Sequence, residues 1–232
     1  MSVIDRLRTA SGRRFGQRWL LWRARRPYVR EWGDLPLLVL PGVLDPVATK
    51  VGAWLAGVAA AHARPGERWV DMGCGTGIVG LALAEAGAVV TAIDIDPVCV
   101  RNARANAALL GRPVEVVESD LFSAFADSAF PDPGRRFHRV VYNVPFWPGP
   151  VADAAGNVRP FGRAMYAGAD FEAIRTFVAA FPTFADEAWV VLSEFGGDFA
   201  GARAALGPAE LVTRALVEGE WLSLFALTPR PR

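Results

Sequence analysis

Asn143-Val144-Pro145-Phe146 places a side-chain amide, a peptide carbonyl, a proline and an aromatic ring on consecutive positions. The Asn143 side-chain oxygen and the Val144 carbonyl are two acceptors for the N–H groups of a nitrogen nucleophile. Pro145 stiffens the direction of that carbonyl. Phe146 offers a face for a planar group or for a cationic centre. This set suits in-line transfer from a donor that is already activated. There, orientation and exclusion of water supply much of the rate. An ordinary proline turn with a buried aromatic is the competing reading of the same four residues.

The second chemical stretch is Asp71-Met72-Gly73-Cys74-Gly75-Thr76-Gly77. Alternating glycines between a strand and a helix let a ligand lie against bare backbone. Gly75, Gly77 and Gly80 also satisfy G-x-G-x-x-G, a weak signal for a dinucleotide. Asp94 ends the next β-branched run, where a carboxylate accepts from ribose hydroxyls. Ile95 follows it, and Asp96 before Pro97 reads as a helix cap. NAD and S-adenosylmethionine (SAM) both carry that ribose, so Asp94 does not separate them.

Three features favour SAM. Gly73 extends the glycine run, and Asp71 precedes it where a carboxylate meets an amino-acid ammonium. Ser119-Asp120-Leu121-Phe122 offers an acid and an apolar wall to an adenine ring. The third feature is the Asn143 loop itself. Cys74 would contribute its backbone amide. Thr49, after Asp45-Pro46, either reaches the cofactor or packs its helix.

These residues need a scaffold that brings loop ends together. From Arg68 onward, strand and helix patterns alternate: strands over 69–72, 89–93, 114–117, 137–142 and 189–192, with helices over 77–86, 97–110 and 171–181. Two more strand-like runs flank Glu218-Gly219-Glu220, as in a hairpin. The expected fold is α/β: a Rossmann-like, doubly wound, mostly parallel sheet with a C-terminal antiparallel hairpin and extra N-terminal helices. Residues 1–62 read as a helical cap or lid, with basic amphipathic helices over Asp5 to Arg26 and a helix starting at Asp45-Pro46. Residues 63–232 read as the SAM-binding catalytic domain.

The chain has 232 residues, 52% of them hydrophobic, enough for a core covering both sheet faces. Its net charge of +1 advertises no nucleic-acid partner, although arginines crowd the first thirty positions and Lys50 is the single lysine. Cys74, Cys99, His62 and His138 have no metal-ligand spacing, so no metal is expected. Two thiols and no apolar run of bilayer length make a cytoplasmic, membrane-free protein the expectation. The oligomeric state is not legible.

The two motifs together resemble the class I SAM-dependent methyltransferases. They are most similar to the small-methyltransferase branch that includes release factor glutamine methyltransferases, with its Asp-x-Gly-x-Gly-x-Gly and Asn-Pro-Pro-Tyr/Phe motifs. Here these are Asp71 to Gly77 and Asn143 to Phe146, within a resemblance running from about Leu40 to Glu194 and including Ala164 to Gly168. Val144 replaces the family's first proline, which keeps the carbonyl and loses rigidity. The resemblance implies SAM as cofactor and N-methylation of an amide or amine. The basic, Trp-rich start differs from the release-factor enzymes, so a small-molecule acceptor is expected. Two alternatives stay open: aminobutyryl transfer or cyclisation of SAM alone, releasing methylthioadenosine, and a nicotinamide-dependent oxidoreductase.

Overall fold

The computed structural model describes residues 25–126, 136–158, 161–195 and 197–229. The basic helices expected over Asp5 to Arg26 lie almost wholly outside the described residues.

Seven strands form the main sheet: β3 (Arg68–Met72), β4 (Val89–Asp94), β5 (Val114–Glu118), β6 (Phe137–Tyr142), β7 (Ala185–Ser193), β8 (Glu210–Val217) and β9 (Glu220–Leu227). Their order is β5-β4-β3-β6-β7-β9-β8. Strands β3 to β7 pair in parallel, and β9 runs antiparallel to both β7 and β8. The Rossmann-like sheet and its C-terminal hairpin therefore form as the alternating pattern predicts. From β3 the chain winds outward to β4 and β5, then returns to β6 on the other side. The crevice between the carboxyl ends of β3 and β6 is the switch point, where ligands bind in such sheets. That single topological fact sets the glycine loop beside the Asn143 loop.

Both sheet faces are covered, which is why the central strands are continuous apolar runs. Helices α1 (Val51–His62), α2 (Ile78–Glu85) and α3 (Pro97–Leu109) lie in the first part of the chain. Trp69, Val141, Trp189 and Val191 join residues of α1 and α2 in one core cluster. Met72, Ile93, Val140 and Val190 join Phe177 and Phe181 in the other. The second cluster is built with α5 (Glu172–Phe184) and α6 (Phe199–Leu206), which follow the short α4 (Gly162–Met165). Helix α5 runs past Pro182, where a stop was expected. Arg136 donates to the carbonyls of Pro182 and Thr183 at 3.1 and 2.8 Å, satisfying acceptors that the helix end leaves free.

The stretch expected to be a helical cap contains a hairpin as well as α1 in its described part. Strands β1 (Tyr28–Trp32) and β2 (Leu35–Val39) pair antiparallel across Gly33-Asp34, with Gly33 at φ 55°. Side chains of β1 alternate half-buried and exposed, the period of a strand. The free edge of β2 is closed by two asparagines of α3. Asn106 Oδ1 accepts from the Leu38 amide and Asn102 Oδ1 from the Leu40 amide, both at 2.8 Å. The two Nδ2 groups donate back to the Leu38 carbonyl.

The helix expected from Asp45-Pro46 begins at Val51. Lys50 has φ 67°, which no α-helix can propagate through. Asp45 is used elsewhere. Its Oδ1 accepts from the amides of Val47 and Ala48, and its Oδ2 from Tyr28 Oη and the Arg30 guanidinium. Burial pushes the Asp45 pKa up, but these hydrogen bonds and the Arg30 charge outweigh it and hold the carboxyl below its usual range.

Candidate active site

A cavity of about 450 Å³ opens at the switch point between β3 and β6. Its floor is the glycine loop. Gly73 and Gly75, which line it, have φ 65° and 55°, left-handed values that glycine adopts freely, and their α-carbons carry no side chain to fill the cavity. A side chain at Gly73 would also collide with the Tyr142 ring, 3.0 Å from the Cβ position. Gly77 plays a different part. It lies outside the lining, starts α2 at φ 83°, and comes so close to α3 that a Cβ would sit 3.1 Å from Ala103 Cβ.

The Cys74 amide donates to the Ile93 carbonyl at 2.9 Å, extending the β3–β4 ladder, so it is spent within the fold. The Cys74 side chain packs in a small core cluster with Ala92, Val100, Ala103 and Val116, and burial and the nearby carboxylates push its thiol pKa up.

Two buried carboxylates hold this loop. Asp71 Oδ2 accepts from the Gly80 amide at 2.8 Å, an N–H in the first turn of α2 that Gly77 has no side chain to cap. Burial raises the Asp71 pKa to about 7, against the pull of that hydrogen bond, and the Asp94 charge adds to the rise. Asp94 Oδ2 accepts from the Gly75 amide and its Oδ1 from the Asp96 amide, both at 2.9 Å. Burial lifts the Asp94 pKa while these two bonds lower it, and the net shift is upward. The Cys99 thiol also hydrogen-bonds to Asp94, and the carboxylate still keeps a lone pair for a ligand hydroxyl.

Ile95, Asp120, Leu121 and Thr49 also line the cavity. Asp120 is exposed at its rim, and Leu121 is held at φ 48°. Thr49 Oγ1 donates to the Asp45 carbonyl at 3.0 Å, so the hydroxyl serves its own turn.

The four residues of the second motif divide. Asn143 and Pro145 line the cavity. The Asn143 carboxamide makes no hydrogen bond to the described residues and is therefore available to a ligand. Val144 is 1% exposed and its side chain belongs to the core. The Phe146 ring lies outside the lining, packed against the loop after β7. Beyond it, Trp147 donates to the Met165 carbonyl and accepts from the Ala167 amide, both at 2.9 Å. Tyr166 packs edge-on to Trp147 at 5.9 Å, outside the lining. Glu194, at the end of β7, pairs with Arg214 at 2.5 Å.

Several lining residues escaped the sequence reading. Tyr142, the last residue of β6, is legible from the sequence only as the end of a strand, yet it lines the cavity. Thr76 is 2% exposed, lines the cavity, and its Oγ1 has no hydrogen-bond partner among the described residues. It stands inside the glycine motif, so the signal was present. Gly42, Leu44, Phe161 and Arg163 reach the cavity from loops whose path no local pattern reveals.

The donor set fits SAM. The bare backbone at Gly73 and Gly75, the orphaned Thr76 hydroxyl, and the carboxylates of Asp71 and Asp94 match an amino-acid end and a ribose. The cavity is in the usual size range for such a ligand.

Residues 70–158 match a family model described as a methyltransferase domain. A ribosomal protein L11 methyltransferase from Symbiobacterium thermophilum is 29% identical over 67% of this chain and 50% of its own length. A release factor glutamine methyltransferase from Koribacter versatilis is 41% identical over 34% of this chain and 28% of its own. The chain thus spans about half or less of the length of these curated relatives. A T. thermophilus 16S rRNA N2 G1207 methyltransferase, solved with AdoMet and guanosine, superposes with a TM-score of 0.58 at 18% identity, over 88% of this chain and 50% of that one. The fold is thus that of SAM-dependent methyltransferases. The resemblance to class I SAM-dependent methyltransferases, the methyltransferase reading and the SAM cofactor that the motifs implied are supported by these matches.

Proposed function

We propose that this chain transfers a methyl group from SAM to a nitrogen of an amide or amine. The observation that carries the reading is Asn143, which lines the cavity that the glycine loop floors and whose carboxamide makes no hydrogen bond among the described residues. Bound there, SAM would supply a methyl group already activated by its sulfonium, so no strong acid is needed. Gly73 and Gly75 present backbone to the donor. Asp94 accepts from the ribose hydroxyls, and Asp71, when ionised, faces the ammonium. Asp120 and Leu121 border the adenine. Asn143 Oδ1 and the Val144 carbonyl accept from the nitrogen's N–H groups, which turns its lone pair toward the methyl carbon. The buried Val144 side chain anchors the segment that Pro145 stiffens. Phe146 supports the loop from behind, outside the cavity.

We take the acceptor to be a small molecule. Gly42, Leu44, Pro46 and Gly52 from one stretch, and Val158, Phe161 and Arg163 from another, line the cavity, which suits a substrate taken in whole. A second reading is an amide side chain or a base presented by a macromolecule. It is favoured by relatives named for a ribosomal protein, a release factor and an rRNA. Release of methylthioadenosine from SAM alone is the distinct outcome of the cyclisation alternative.

The test has two steps. S-adenosylhomocysteine (SAH) is titrated by calorimetry, with micromolar or tighter binding expected. The protein is then incubated with labelled SAM alone, with amide- and amine-bearing small molecules, with a glutamine peptide and with guanosine, and products are identified by mass. Asn143→Ala is expected to bind SAH as the parent does and to lose turnover by about a hundredfold or more. Turnover intact in that variant overturns the nucleophile site.

A further inference from the structure

Gly197 lies outside the left-handed region, so its backbone does not demand glycine. It nevertheless has no room for a side chain. A Cβ there would sit 2.3 Å from two ring carbons of Phe146 and 3.2 Å from the Phe146 carbonyl oxygen. Four residues on, Gly201 repeats the arrangement inside α6, where glycine is otherwise disfavoured. Its Cβ would meet the Phe171 ring at 2.5 and 2.7 Å. Two glycines with unremarkable backbones, each pressed on an aromatic ring, occupy one five-residue stretch. The ring that Gly197 receives belongs to the loop that carries Asn143.

We propose that Gly197 is a positioning residue for the transfer reaction: its bare α-carbon seats the Phe146 ring and thereby holds Asn143 toward the cavity. This rests on the function proposed above. The mechanical link is short. Phe146 packs on the core cluster that contains Val144, and Pro145 permits little backbone adjustment between them. A methyl group at 197 drives the ring away, because rigid ring carbons are in its path and the Phe146 carbonyl lies just behind. Asn143 and Phe146 belong to one four-residue loop, so a displaced ring turns the carboxamide off the acceptor nitrogen. A shift of an ångström at a near-attack geometry is enough to lose about a hundredfold in rate. The glycine loop is built on β3 and β4 and is untouched.

The experiment compares Gly197→Ala with Gly197→Ala/Phe146→Leu, in which a smaller side chain makes room for the new methyl. Three quantities are read. The emission of Trp147, next to Phe146, is isolated by difference against matched Trp147→Phe proteins. SAH affinity is measured by calorimetry, and methyl transfer is measured with the acceptor found above. Gly197→Ala is expected to shift the Trp147 emission and lower the transfer rate tenfold or more, with SAH affinity within twofold. The double variant is expected to restore the emission and raise the rate at least threefold above Gly197→Ala. Unchanged Trp147 emission in Gly197→Ala, or no recovery in the double variant, overturns the proposal. Failure of the parent protein to bind SAH defeats the function reading alone, since the emission comparison judges the seat without any ligand.

Discussion

Burial and the proposed ligand ask Asp71 for different protonation states. Without a ligand it is a buried carboxyl with one amide donor, and burial keeps its pKa near 7. Facing an ammonium, it must be ionised. Binding of SAH should therefore weaken below neutrality, by about tenfold between pH 8 and pH 6. Calorimetry across that range checks this, and Asp71→Asn should show weaker binding with little pH dependence in the same interval. Asp94 has both oxygens already engaged by the amides of Gly75 and Asp96. Its replacement by alanine removes the proposed ribose contact and releases the glycine loop together. An SAH affinity at least tenfold weaker is expected, and unchanged affinity would discard the ribose assignment. Cys74 shows the limit of a motif: its place in the loop is legible, but its amide belongs to the sheet.

Between elements, the decisive contact is the edge of β2 against α3. Leu38 and Leu40 would leave buried amides unpaired if Asn102 and Asn106 were absent. Asn106 also donates to the Thr76 carbonyl at 2.9 Å, so the hairpin and the glycine loop share one side chain. Removing a partner from a buried amide costs about 1–3 kcal/mol. Asn102→Ala and Asn106→Ala should each lower the melting temperature by several degrees. Hydrogen exchange should speed up at Leu38 and Leu40 in particular. Asn106→Ala should also weaken SAH binding, through Thr76, whereas Asn102→Ala should not. Equal effects of the two on SAH affinity would separate the hairpin from the site.

For the molecule as a whole, the buried acids set how stability follows pH. The raised pKa of Asp71 means that the folded state holds a proton that the unfolded chain has released. Its contribution is complete below the ordinary carboxyl value of 3.8 and is lost as pH rises to about 7. Asp45 acts in the opposite sense. Its lowered pKa contributes stability above the unfolded value that is lost as pH falls through the folded one. Denaturant titrations should show Asp71→Asn flattening the decline between pH 4 and 7, at the expense of ligand affinity. Asp45→Asn should be less stable than the parent at pH 7, with the difference shrinking below pH 4. The sequence alone determined the sheet, its hairpin, the two loops and the class of donor, because strand and helix periodicity and the glycine spacing are local properties of the chain. The N-terminal hairpin, the late start of α1, the seat of Phe146 and the residues 42–44 and 161–163 that complete the cavity were decided by tertiary structure. Each depends on partners distant in sequence: Asn102 and Asn106 for β2, Tyr28 and Arg30 for Asp45, Gly197 for the ring. Local pattern carries no record of which side chain will arrive from across the fold.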